Sequence, residues 1–100
     1  MITAAQCRAG RALAELSLDM LARLSGTEVS VIQDFERKVQ KPNAETISRI
    51  KLALEDGGVV FLPEDDSAGV GVRLKFNRAT TKQIGVLEGE GGITGYDDVP

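Results

Sequence analysis

One hundred residues make a single domain, and 42% hydrophobic residues with no Trp, three Phe and one Tyr call for a modest, aliphatic core. The net charge of −3 is uneven: residues 1–58 carry eight basic and eight acidic side chains, residues 59–100 four and seven. Such a balance excludes the broad positive field of an indiscriminate nucleic-acid binder, but not a site-specific binder with a local basic patch.

The first predicted element is a helix over residues 4–15. Thr3 is its N-cap, and Gln6 completes a capping-box pattern. Ala9, Ala12, Leu13 and Leu16 suit an inward stripe, with Cys7 a small apolar neighbour. Gly10 weakens this helix by roughly 1 kcal/mol relative to Ala and marks the close approach of another helix. Ser17 caps a second, short helix over 18–25, with Leu21 and Leu24 inward and Asp19 near the positive end of the dipole. Gly26 breaks it at a tight turn. Thr27 or Glu28 opens a third helix that runs to about Lys38, with Val31, Ile32 and Phe35 on its apolar face.

Pro42 makes Lys41–Asn43 a loop. A fourth helix spans 44–56, with Ile47, Ile50, Leu52 and Leu54 apolar and Lys51 outward, and Gly57-Gly58 ends it. The period then changes from 3.6 to 2. Residues 59–62 form one strand and 70–76 a second, with Val72, Leu74 and Phe76 on one face and Arg73 and Lys75 on the other. A lone hairpin is marginal, so it must pack on the helices or pair with another copy. Beyond Asn77 the signal fades: Ile84, Val86 and Leu87 allow a short strand within 80–88, and the Gly-rich, acidic run 88–100 suggests a mobile tail. The expected organisation is a mainly α bundle of four to five helices over 1–58, a β-hairpin over 59–76 and an acidic tail over 77–100.

Several function classes lack their chemistry. Cys7 is the only cysteine and there is no His, so an internal disulfide, the usual zinc sites and His-based acid–base catalysis are not expected. Without a nucleophile-plus-base arrangement or a phosphate-cradling glycine loop, neither an enzyme nor a cofactor or metal is expected. The start, Met1–Ala4, does not read as a secretory signal, and no apolar run approaches ~18 residues. These readings favour a cytoplasmic protein without membrane contact.

Residues 17–38 carry a helix-turn-helix logic: one helix braces across a DNA backbone while the next offers its N-terminal side chains to the major groove. The run R-A-L-A-E-L-S-L-D-M-L-A-R-L-S-G-T-E-V-S-V-I-Q-D-F-E-R-K, Arg11 to Lys38, resembles the Xre/Cro family of phage and bacterial repressors. The frame R-x-x-x-x-L-S-x-x-x-L-A-x-x-S-G, then I-x-x-F-E, a proline and a fourth amphipathic helix carries the likeness over roughly residues 4–56. The hairpin ending G-V-R-L, Gly71–Leu74, resembles a bacterial subgroup of small proteins of this type. The resemblance implies a repressor-like bundle that acts as a homodimer on palindromic double-stranded DNA. It implies base contacts from Glu28, Val29, Ser30 and Gln33, phosphate contacts from Arg23, Arg37, Lys38 and Lys41, and a buried salt bridge between Arg11 and Glu36. Gln33 suits adenine, and Val29 a thymine methyl.

Dimerisation is expected through the hairpin, by way of Val60, Leu62, Val72, Leu74 and Phe76. The acidic tail is a candidate docking segment for a protein partner. The competing reading is an antitoxin-like or antirepressor module that keeps the scaffold but acts through protein partners; the acidic balance, Leu18 and Glu28 favour it.

Overall fold

The computed structural model describes residues 1–76. In chain order these form α1 (Ala4–Ala14), α2 (Leu18–Ser25), α3 (Val29–Glu36), α4 (Ala44–Asp56), β1 (Val59–Leu62) and β2 (Gly71–Leu74). The described residues are thus mainly helical, with a two-stranded antiparallel sheet. The expected strand within 80–88 and the acidic tail lie outside them.

Local chemistry sets the helix starts. Thr3 Oγ1 accepts from Gln6 N while Gln6 Oε1 accepts from Thr3 N, each at 3.0 Å, so the capping box at α1 is complete. Ser17 accepts from Met20 N at 3.0 Å and Asn43 from Thr46 N at 2.8 Å. Three helix ends share one device. A residue in the left-handed region turns the chain, and the flanking amides reach back to carbonyls five and three residues earlier. Gly26 does this at φ 68°, but Glu15 at φ 58° and Lys38 at φ 62° do it without being glycine. The turn at Lys38 ends α3 at Glu36, two residues short of the expected limit.

Leu21, Ile32, Ile47, Ile50 and Leu54 are fully buried, and Phe35 and Val59 nearly so. Each such side chain contributes about 1.5–3 kcal/mol of transfer free energy. α2 packs on α3 and α4, and α1 packs on α3, α4 and both strands.

Three expected inward faces are rotated or narrowed. On α1, Ala9, Ala12 and Leu13 are exposed and Leu16 is half-buried, whereas Ala4, Gln6, Cys7 and Gly10 are buried. The hairpin explains the phase: a Cβ on Gly10 would stand 3.2 Å from Val59 Cγ1 and 3.4 Å from the Phe61 ring. Gly10 therefore marks the close approach of a strand, not of a helix. Leu24 of α2 is 56% exposed and Leu52 of α4 is 59% exposed, while Ala22, Ser25 and Ala53 take the inward positions. Buried Ser25 is satisfied by donating to Leu21 O at 2.7 Å.

The sheet register pairs Val59 with Leu74, Val60 with Arg73, Phe61 with Val72 and Leu62 with Gly71. Paired residues share a face. Val59, Phe61, Val72 and Leu74 therefore face the helices and join the core, while Val60, Leu62 and Arg73 point away. The expected dimerisation set is thus divided by the pleat. Val72 and Leu74 are used within the chain, Val60 and Leu62 lie on the outer face, and Phe76 stands beyond the strand, 44% exposed. Gln6 fastens the hairpin to α1, its Nε2 donating to Leu62 O at 3.2 Å and Gly71 O at 2.9 Å.

Candidate functional site

α2 and α3 form two helices joined at Gly26, with α3 held by its inner face. Ile32 and Phe35 enter the core, and Glu36 is buried beneath them. Glu36 receives a bidentate grip: Arg11 Nε donates to Oε2 at 2.8 Å and Arg11 Nη2 to Oε1 at 2.9 Å. This is the pair implied by the resemblance, and it carries more than an ion pair. Arg11 Nη1 also donates to Leu16 O at 3.1 Å, Arg8 Nη1 donates to Glu36 O, and Cys7 Sγ lies 3.5 Å from Glu36 Oε2 as its donor. The hydrogen bonds to Glu36 hold the Arg11 guanidinium above its usual pKa. Burial, reinforced by Glu36, pushes the Cys7 thiol up to about 12. That thiol is neutral at physiological pH and has no nucleophilic character. The network locks the pitch of α3 against α1 and the loop into α2.

The other face of α3 is polar and idle. Ser30 and Arg37 are exposed there, Gln33 and Asp34 are half-buried, and Glu28 is exposed at the N-cap of the helix. No side-chain hydrogen bond within the described residues uses any of the five; the described ion pairs are Arg11–Glu36, Arg49–Glu45 and Lys51–Glu55. At roughly 100° per residue, Ser30, Gln33, Asp34 and Arg37 fall on one side of the helix. Val29 does not join them. It is half-buried and packed against the core, so its side chain does not stand free as a base contact would.

Of the expected cationic contacts, Arg23 is exposed on α2, and Arg37, Lys38 and Lys41 are exposed at the end of α3 and in the loop after it. An open cleft of about 400 Å³ separates α3 from the start of α4, lined by Ser30, Val31, Asp34, Gln40, Pro42, Asn43 and Thr46. Sequence reasoning assigned no role at this cleft to Gln40, Asn43 or Thr46. The signal lies in Asn43, a good N-cap before an apolar-periodic helix, whose side chain accepts from Thr46 N. Among the described residues no three Cys, Asp or Glu side chains converge as metal ligands would, and no helix is long and apolar enough to cross a membrane. The chemistry available on this face is hydrogen bonding and charge. No protein-family model matches the chain, and no curated protein matches it.

Proposed function

We propose that the chain is a sequence-specific DNA-binding regulator of transcription of the Xre/Cro type, with α3 entering the major groove and α2 bracing across the backbone. One observation carries this reading. α3 is anchored by Ile32, Phe35 and the Arg11–Glu36 grip on one face, and leaves the side chains of Ser30, Gln33 and Arg37 without partners among the described residues on the other. A rigid helix with uncommitted donors and acceptors is what direct readout needs. Ser30 and Gln33 supply the neutral readers, and Arg23, Arg37, Lys38 and Lys41 the phosphate contacts.

The protein acts as a homodimer on a palindromic operator, with half-sites about one helical turn apart. The outer sheet face, with Val60 and Leu62, and the strand edges that are unpaired among the described residues are the surfaces that support dimerisation; Val60→Asp tests this better than a change at inward-facing Val72.

The direct test is a fluorescence-anisotropy titration of a random-sequence duplex pool at rising salt. Binding at low salt is expected, with a steep log–log loss of affinity. Arg37→Ala and Lys41→Ala should each flatten that slope by about one and weaken all sequences alike. Absence of binding at low salt would sink the reading. A second reading, a protein-interaction module on the same scaffold, draws support from Leu24 and Leu52, which are 56% and 59% exposed on α2 and α4. It predicts that Leu24→Glu abolishes partner capture while DNA is ignored.

A further inference from the structure

We propose that residues 93–98 dock in the cleft between α3 and α4 of their own chain and compete there with DNA. The competition rests on the DNA-binding reading above; the docking does not. The cleft, about 400 Å³ and open to solvent, lies in the size range of sites that take a small group. Its apolar lining is Val31 and Pro42, both half-buried. Asp34 stands beside them, also half-buried, and its carboxylate takes part in no hydrogen bond or ion pair among the described residues. Arg37 and Lys38 follow at the end of α3, and Lys41 sits in the chain between the lining residues Gln40 and Pro42. These three cations are exposed and join none of the described ion pairs. The cleft therefore fits an apolar ring with a hydrogen-bond donor at its tip and negative charge beside it.

One segment of the chain has that combination. Ile93-Thr94-Gly95-Tyr96-Asp97-Asp98 holds the only tyrosine, followed by two carboxylates. A tyrosine has an apolar body and a hydroxyl that finds a partner when buried. Its ring would lose water against Val31 and Pro42, and its hydroxyl would donate to the Asp34 carboxylate, which accepts only. Asp97 and Asp98 would then meet Arg37, Lys38 and Lys41. The charge balance agrees: residues 88–100 carry Glu88, Glu90, Asp97 and Asp98 and no basic side chain. Tyr96 lies twenty positions beyond Phe76. Twenty residues extend to at most about 70 Å, more than twice the diameter of a small domain, about 30 Å, so the cleft is within reach. Tethering gives the segment an effective concentration in the millimolar range, so a weak contact suffices. On the DNA-binding reading the same three cations contact phosphates, so a docked segment weakens binding to all sequences alike.

The experiment compares the full chain with Tyr96→Ala, which leaves the charge unchanged, and with Asp97→Asn/Asp98→Asn. With one Tyr and no Trp, intrinsic fluorescence reports on Tyr96 alone. Without DNA, acrylamide should quench it several-fold less than it quenches free N-acetyltyrosinamide. Tyr96→Ala should shift the backbone amides of residues 30–34 and 40–46, and the shifts should persist on dilution. With a random-sequence duplex pool at low salt, Tyr96→Ala and the double variant should each bind about threefold to tenfold more tightly than the wild-type chain. The gain in Tyr96→Ala separates docking from general charge repulsion. Quenching equal to that of the free amino acid derivative, or unmoved amides at the cleft, would overturn the docking. Shifts that vanish on dilution would place the segment on a second copy and overturn docking within the chain. Docking with unchanged DNA affinity would overturn the competition. Docking in a chain that binds no DNA at low salt would overturn the DNA-binding reading and leave the docking standing.

Discussion

The polar groups on the two faces of α3 are in opposite situations. On the inner one, Glu36 is 5% exposed and is gripped by Arg11, with Arg8 and Cys7 as further donors around it; among the described residues no buried side-chain polar atom lacks a partner. On the outer one, Ser30, Gln33, Asp34 and Arg37 have no side-chain hydrogen bond among the described residues. A polar group that is buried and satisfied holds the fold together, because leaving it unpaired is costly. A polar group that is positioned but idle adds little to stability and is free to meet a partner outside the chain. The contrast also separates residues whose substitution should change stability from those whose substitution should change recognition.

The largest expected effect is on the inner face. Glu36→Ala leaves the Arg11 guanidinium, only 23% exposed, without its carboxylate, and should cost about 3 kcal/mol in urea-denaturation midpoints. A loss below 1 kcal/mol would mean that the pair is incidental. Next comes Gln6→Ala, which removes half of the capping box and both bonds to the hairpin. It should cost about 2 kcal/mol and speed amide exchange in β1 and β2 more than in α4.

A smaller, pH-dependent effect belongs to Cys7. Its thiol stays protonated in the folded chain up to about 12, against an ordinary value of 9.0. Ionisation therefore favours the unfolded chain, so this contribution is fully present below about pH 9 and is lost as the pH rises toward the folded value. Denaturation midpoints measured from neutral pH upward should fall less steeply in Cys7→Ala, and equal slopes would contradict the assignment. On the outer face, the double variant Ser30→Ala/Gln33→Ala should leave stability within about 0.5 kcal/mol. It should still blunt the base preference of the selected site. A large loss of stability would show that these side chains belong to the fold.

Much of this contrast was legible in the sequence because it is local. Thr3 with Gln6, Ser17 and Gly26 announce their roles within a few residues. Residues 44–56 and 59–62 give α4 and β1 their limits, because a proline, a glycine pair and a change of hydrophobic period bracket them. What was not legible depends on partners distant in sequence. In alanine-rich α1, residue type does not reveal which face is inward; the hairpin decides it by lying against Gly10. Gln6 reads as a capping residue, and nothing nearby tells that its amide reaches Leu62 and Gly71, 56 and 65 positions away. Left-handed turns at Glu15 and Lys38 carry no glycine to flag them, so the sequence pattern overstates the length of α3. Position along the helix suggests Val29 as a reader, but its phase, which the sequence does not display, turns it toward the core. The division of the expected dimer residues needed the strand register, which fixes which side chains share a face.

The central claim is that the outer face of α3 docks on duplex DNA while the inner face only holds it in place. Backbone-amide NMR shift mapping, with the labelled chain titrated by a duplex selected from a random pool, tests this most directly. The account predicts the largest perturbations at residues 28–41 with a weaker set on α2 around Arg23, and little change at Gln6 or in β1. Perturbations concentrated on the hairpin or around Leu52, or none at saturating DNA, would contradict it.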